Sequence, residues 1–189
     1  MRPRLFALPL ACALAASPAF AAGTVVFRDD FNGSQLDSTR WSVANWTLGR
    51  SALGNTPVVA GGLAQMRFDT YGFRGTEIDT RPAFSRGNGL ELEMRVRAVA
   101  LPPGLVTGLF TYQEQAALSD EIDIEILSKQ TSSTPGGDPL QLSTWNDWDE
   151  THPNYNDGIH NATQSVYVPR LNVSAFHTYL IRWLPGRTE

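Results

Sequence analysis

From residue 23 onward the chain alternates apolar and polar side chains in short runs cut by Gly, Pro, Asn and Asp, and no stretch long enough for a helix carries a helical stripe. An all-β fold follows. Strands are expected over residues 24–28, 75–80, 90–96, 105–112, 140–145, 165–168 and 177–183, with 58–60 and 63–68 forming a hairpin across Gly61 and Gly62. Asp29-Asp30-Phe31-Asn32-Gly33 reads as a turn leading to Leu36 and Trp41, and the polar segment 146–162 reads as a loop. Two strands have the sharpest alternation. In the first, Leu90, Leu92, Met94 and Val96 interleave with Glu91, Glu93, Arg95 and Arg97, whose mixed signs describe a solvated outer face. In the second, Glu121, Asp123 and Glu125 share one face while Ile122, Ile124 and Ile126 point to a core.

That second strand is the chemical centre of the sequence. Three like charges in register repel one another, whereas a face that only meets water usually mixes signs. Cleaving a glycosidic bond needs one carboxylic acid to protonate the leaving oxygen and one carboxylate to attack carbon or to activate water. Four residues of strand separate the Glu121 and Glu125 α-carbons by about 13 Å. Two glutamates leaning together from that distance bring their carboxyls near the ~5–5.5 Å that a retaining mechanism uses. Asp123 lies between them, placed to hydrogen-bond one or both and to keep a neighbouring Glu protonated near neutral pH. Which Glu is the nucleophile stays open on these grounds. A plain solvated face and a cation site are the rivals, the latter weakened because hard-cation sites usually wrap the ion in a loop.

Composition narrows the setting. A hydrophobic fraction of 42% with 18% charged residues is that of a globular domain. The formal charge of −4 and the absence of a Lys/Arg cluster argue against nucleic acid as a partner. Arg2 and Arg4 precede an apolar run over 5–16, and Ala19-Phe20-Ala21 supplies small residues for cleavage, so residues 1–21 read as a secretory signal peptide and 22–189 as the mature domain. The protein is expected to be secreted, extracellular or periplasmic, with no membrane span and as a monomer. Cys12, the single cysteine, falls in the leader, which leaves the mature chain without disulfides or thiolate chemistry. Sequons begin at Asn32, Asn45, Asn161 and Asn172. His152 and His160 lie in the polar segment without a metal-ligand spacing, and His177 reads as structural.

Asp120-Glu121-Ile122-Asp123-Ile124-Glu125-Ile126-Leu127 resembles the catalytic strand of the family 16 glycoside hydrolases, in the unbulged Glu-x-Asp-x-Glu form of lichenases and xyloglucan transglycosylases. Phe27-Arg28-Asp29-Asp30-Phe31-Asn32-Gly33 with Leu36-Asp37 and Trp41 resembles the family's opening strand. Gly108-Leu109-Phe110-Thr111-Tyr112 resembles the strand before the acidic one, and Phe176-His177-Thr178-Tyr179 with Trp183 and Pro185-Gly186 resembles a late strand. The resemblance implies a concanavalin-like β-jelly-roll sandwich of two antiparallel sheets with a concave substrate cleft. It further implies retaining endo-hydrolysis of a polysaccharide, with Glu121 as nucleophile, Asp123 assisting and Glu125 as general acid/base. Phe110, Tyr112 and Trp145 would line the cleft and bind sugar. Independently of the resemblance, Trp148 and Tyr155 lie in the polar segment and could form a further sugar platform, the alternative being ordinary loop packing. Glu77 matches the family's sugar-binding Glu-x-Arg, but Asp79 stands where the Arg is expected, and Ser143 stands where lichenases tend to have Asn. The implied activity is a β-1,3-1,4- or β-1,3-glucanase needing no cofactor, with a structural calcium left open. A transglycosylase using the same site, or a lectin-like carbohydrate-binding domain, are the alternatives. The family continues beyond Trp183, so the sequence reads as C-terminally truncated, and a low soluble yield is expected.

Overall fold

The computed structural model describes residues 23–49, 51–99, 102–115, 118–128, 139–148, 161–169 and 171–189. The leader, His152, Tyr155 and His160 lie outside them. Every regular element among the described residues is a β-strand, as the alternation predicts. The chain forms two compact units, one ending at Ala83 and one running from Phe84 to Glu189.

The first unit is built from short strands. β1 (Trp41–Val43) pairs antiparallel with the later β6 (Ile78–Thr80), Trp41 opposite Thr80 and Val43 opposite Ile78. Between them lie two hairpins, β2 (Thr47–Leu48) with β3 (Ser51–Ala52), and β4 (Val58–Ala60) with β5 (Leu63–Gln65). Gly61 and Gly62, at φ 60° and 74°, make the second turn, a left-handed pair whose twist matches the strands it joins. β5 and β6 are shorter than the runs 63–68 and 75–80 suggest.

Residues 24–28 form no strand, contrary to their β-branched, aromatic composition. Side chains hold this stretch instead of a ladder. Phe27 meets Trp41 edge-on at 5.3 Å, with the Arg40 guanidinium 4.6 Å from the Phe27 ring. The adjoining turn forms as expected: Asp29 Oδ1 accepts from the Phe31 amide at 2.8 Å, and Asp29 Oδ2 from Trp41 Nε1 at 2.8 Å.

The second unit is a pair of sheets. One has the order β11 (Asn161–Tyr167), β10 (Pro139–Trp148), β9 (Leu118–Leu127), β8 (Val106–Gln115). The other has the order β13 (Arg187–Thr188), β12 (His177–Leu184), β7 (Leu90–Val96). Their apolar faces share one core of Ala98, Leu109, Ile124, Ile126, Leu140, Val173, Tyr179 and Ile181, against which Leu92, Met94, Val96 and Ile122 pack. Ile126 is 2% exposed, and burial of a side chain of that size stabilises by about 1.5–3 kcal/mol.

The charged residues of β7 are exposed, as read from their mixed signs. Glu91 pairs with Arg182 at 3.0 Å, and Arg95 and Arg97 lie over Phe176 at 4.5 and 5.1 Å. His177 has a structural contact, its Nε2 2.8 Å from the Asn172 carbonyl oxygen. The segment 146–162 is not loop at its ends. β10 continues through Asn146 and Asp147 to Trp148, and β11 begins at Asn161, because cross-strand pairing outweighs the weak strand propensity of Asn and Asp there.

Candidate active site

Register assembles the site. β9 is an interior strand, and its ladder with β8 runs without a shift from Val106 opposite Leu127 to Gln115 opposite Leu118. The acidic strand is therefore unbulged along this edge. Residues directly opposite in an antiparallel pair share a face, and three polar rows result. Tyr112, Glu121 and Trp145 form one row. Phe110, Asp123, Ser143 and Thr163 form the second. Gly108, Glu125, Gln141 and Ser165 form the third. The isoleucines of the same strand lie in the core on the opposite face, so a one-residue slip would bury the carboxylates.

The three acids are not equivalent. Asp123 is only 8% exposed, whereas Glu121 and Glu125 are half-buried. Burial pushes the Asp123 carboxyl up to about 6, the Glu125 charge pushes the same way, and hydrogen bonds with Glu121 and Trp145 oppose both. The alternation pattern assigns the retained proton to a glutamate beside Asp123. In the structure the middle carboxyl, desolvated and flanked by two others, also resists ionisation, so the raised proton affinity belongs to the row as a set.

β10 supplies the partners. Trp145 Nε1 donates to Asp123 Oδ2 at 3.1 Å. Gln141 Nε2 donates to Glu125 Oε2. Ser143, opposite Asp123 and 4% exposed, accepts from Thr163 Oγ1 at 3.3 Å. Beyond Trp145 the β10 register shifts, so that Trp148 stands opposite Ser119. Asp147 adopts φ 48° in this bulge, and its amide donates to Asp120 Oδ1 at 2.9 Å. Of the aromatic candidates, Phe110 and Tyr112 stand on the acidic face, Tyr112 55% exposed. Trp148 is placed by its backbone pairing alone.

Glu77 belongs to the first unit, immediately before β6. Its carboxyl is raised by burial and by the charge of Asp79, with a Trp46 hydrogen bond opposing, and Asp79 is raised by burial. The position where an arginine is expected thus holds a second half-buried acid. Among the described residues no three His, Cys, Asp or Glu side chains converge as metal ligands, the acidic row included, since a strand spreads its carboxylates along a line.

Gln141 and Ser143 are the site residues that pattern reading does not single out for a role. Polar residues on a strand carry no signal alone, but counting back two and four from Trp145 on one face reaches both. The fold is an all-β sandwich with a carboxylate row on an interior strand. The family model for glycosyl hydrolases family 16 matches residues 44–189, and the chain belongs to that family. The match spans both units. No curated protein and no solved structure matches the chain.

Proposed function

We propose that the protein is a secreted, monomeric, retaining endo-β-glucanase that cleaves mixed-linkage β-1,3-1,4-glucan or β-1,3-glucan without a cofactor. The observation that carries this reading is the unbroken register of Glu121, Asp123 and Glu125 on one face of an interior strand, with Asp123 hydrogen-bonded to Glu121 and within the field of Glu125. In the first step the Glu121 carboxylate attacks the anomeric carbon and Glu125 gives its proton to the departing glycosidic oxygen, leaving a glycosyl ester on Glu121. In the second, Glu125 takes a proton from water, the water oxygen attacks the same carbon, and the Glu121 carboxylate is released. Two inversions retain the configuration. Asp123 shares its proton with Glu121, which tempers the nucleophile's charge in the resting state and frees it as the ester breaks.

Phe110 and Tyr112 offer ring faces to sugar, and Trp145 does so with its indole N–H already held by Asp123. Trp148 is a further sugar contact in this reading. The unshifted β8–β9 ladder supports the unbulged form, which resembles lichenases and xyloglucan transglycosylases alike. Transglycosylation would follow the same first step, with a sugar hydroxyl in place of water.

Reducing-sugar release from mixed-linkage, β-1,3- and xylose-branched glucans tests the reading. Wild type is expected to release sugar from the first two, and Glu121→Gln to lose on the order of a thousand-fold or more. Binding without release would leave a carbohydrate-binding domain. Release undiminished in the variant would overturn the assignment of Glu121.

A further inference from the structure

We propose that Gln141 is the positioning residue of Glu125, its one side-chain amide serving that carboxyl in both protonation states. The inference rests on the glycosidase reading and adds a role within it. Gln141 and Glu125 are direct cross-strand partners, and the Gln141 Nε2 group donates to Glu125 Oε2. On the other side of Glu125 stands Gly108, which presents no side chain. One pair further along come Phe110 on β8 and Ser143 on β10. Among these neighbours on β8, β9 and β10 the only titratable group is Asp123, whose carboxyl already engages Glu121 and Trp145. Lateral hold on Glu125 therefore comes from β10, through Gln141.

The residue type suits a group that must lose and regain a proton in every cycle. A side-chain amide carries two N–H donors and a carbonyl acceptor on one rotor. With Glu125 ionised, Nε2 donates to it. With Glu125 protonated, a half-turn of the amide lets Oε1 accept from the acid. Lysine in this place would favour only the anion, and leucine neither form. Gln141 thus keeps Glu125 aimed at the glycosidic oxygen before proton donation and at the incoming water after it, without itself exchanging a proton.

Two measurements test the proposal. The first does not depend on turnover. The Gln141 side-chain amide signals in a ¹H–¹⁵N spectrum, assigned by their loss in Gln141→Leu, should shift with pH in wild type and lose that titration step in Glu125→Gln. Signals that do not respond to pH, or respond equally in Glu125→Gln, would overturn the pairing even in a protein that hydrolyses glucan. The second separates positioning from substrate contact. Gln141→Leu should lower kcat on glucan about 10–100-fold, in line with a misaligned general acid. It should leave KM on glucan within about two-fold, and on an aryl β-glycoside whose leaving group needs no protonation it should spare kcat/KM, which reports the first step alone. Equal losses of kcat/KM on both substrates, or a raised KM at unchanged kcat, would overturn the positioning role. Gln141→Met keeps the length of the side chain, offers no N–H or O–H, and takes the place of Gln141→Leu if that variant does not fold. It should show the same substrate split. Wild type inactive on every glucan would sink the glycosidase reading, while the spectral titration would still decide the pairing.

Discussion

Asp123→Asn isolates the cost of keeping a carboxyl at the centre of the row. Burial raises Asp123 from 3.8 to about 6. At about 1.4 kcal/mol per unit this comes to about 3 kcal/mol, a ceiling, because Glu121 and Glu125 share the effect. The sign follows from which state binds the proton more tightly. The native protein does, so the stability tied to Asp123 is fully present below the unfolded value and is lost as pH rises through about 6. Asparagine stays neutral throughout. Its carbonyl can still accept from Trp145 and its amide can still donate to Glu121. The stability of Asp123→Asn relative to wild type should therefore climb by about 1–3 kcal/mol between pH 4 and pH 7 and then level off. For a chain of this size that corresponds to roughly 2–4 °C in Tm per kcal/mol. Urea unfolding of both proteins across that range gives the difference directly. Glu77 and Asp79, also raised by burial, cancel between the two proteins. A difference that stays flat from acid to neutral pH would refute the argument, and one that falls would mean Asp123 is held ionised by its partners.

Trp145→Phe keeps the ring and removes the N–H that reaches Asp123 Oδ2 at 3.1 Å. A hydrogen bond to a charged group contributes about 1.5–3 kcal/mol, so the pH step in stability should lie about one to two units higher in the variant than in wild type, and an unmoved midpoint would show the bond to be absent in solution. Ile126→Ala removes the most deeply buried side chain of the acidic strand, 2% exposed. It should cost about 2–5 kcal/mol in urea unfolding with an unchanged m value, and a loss below 1 kcal/mol would mean that the core is looser than described.

The acidic strand and β7 were legible in the sequence because both alternate strictly and bury one face, which fixes period and register together. The turn at Gly61-Gly62 was legible because few other residue pairs accept two left-handed positions. Residues 24–28 misled because strand propensity describes a fit to a pleated neighbour, and here the stretch is held by ring and ion contacts with Trp41 and Arg40. In the site, pattern showed the three acids and the central place of Asp123 but not how deeply that carboxyl is buried. What sets Asp123 apart lies on other strands, in Phe110, Ser143 and Trp145, and none of these can be assigned opposite it until the ladders are known. Gln141 was hidden for the same reason: its partner is sixteen residues away in the chain and one hydrogen bond away in the sheet.

The ladder that holds the acidic strand on both sides also decides where this sheet can change length. A residue gained or lost between Leu118 and Leu127 would turn isoleucines toward the substrate face and carboxylates toward the core, so a length change within that run removes the fold and the chemistry together. β10 answers differently past Trp145, where an extra residue is already absorbed by the bulge at Asp147 and tied to Asp120. Insertions tried there, beyond the last row of the site, should be tolerated where the same insertions four residues earlier are not. The rim beside β10 is thus open to variation by lengthening, while the acidic row can vary only by substitution.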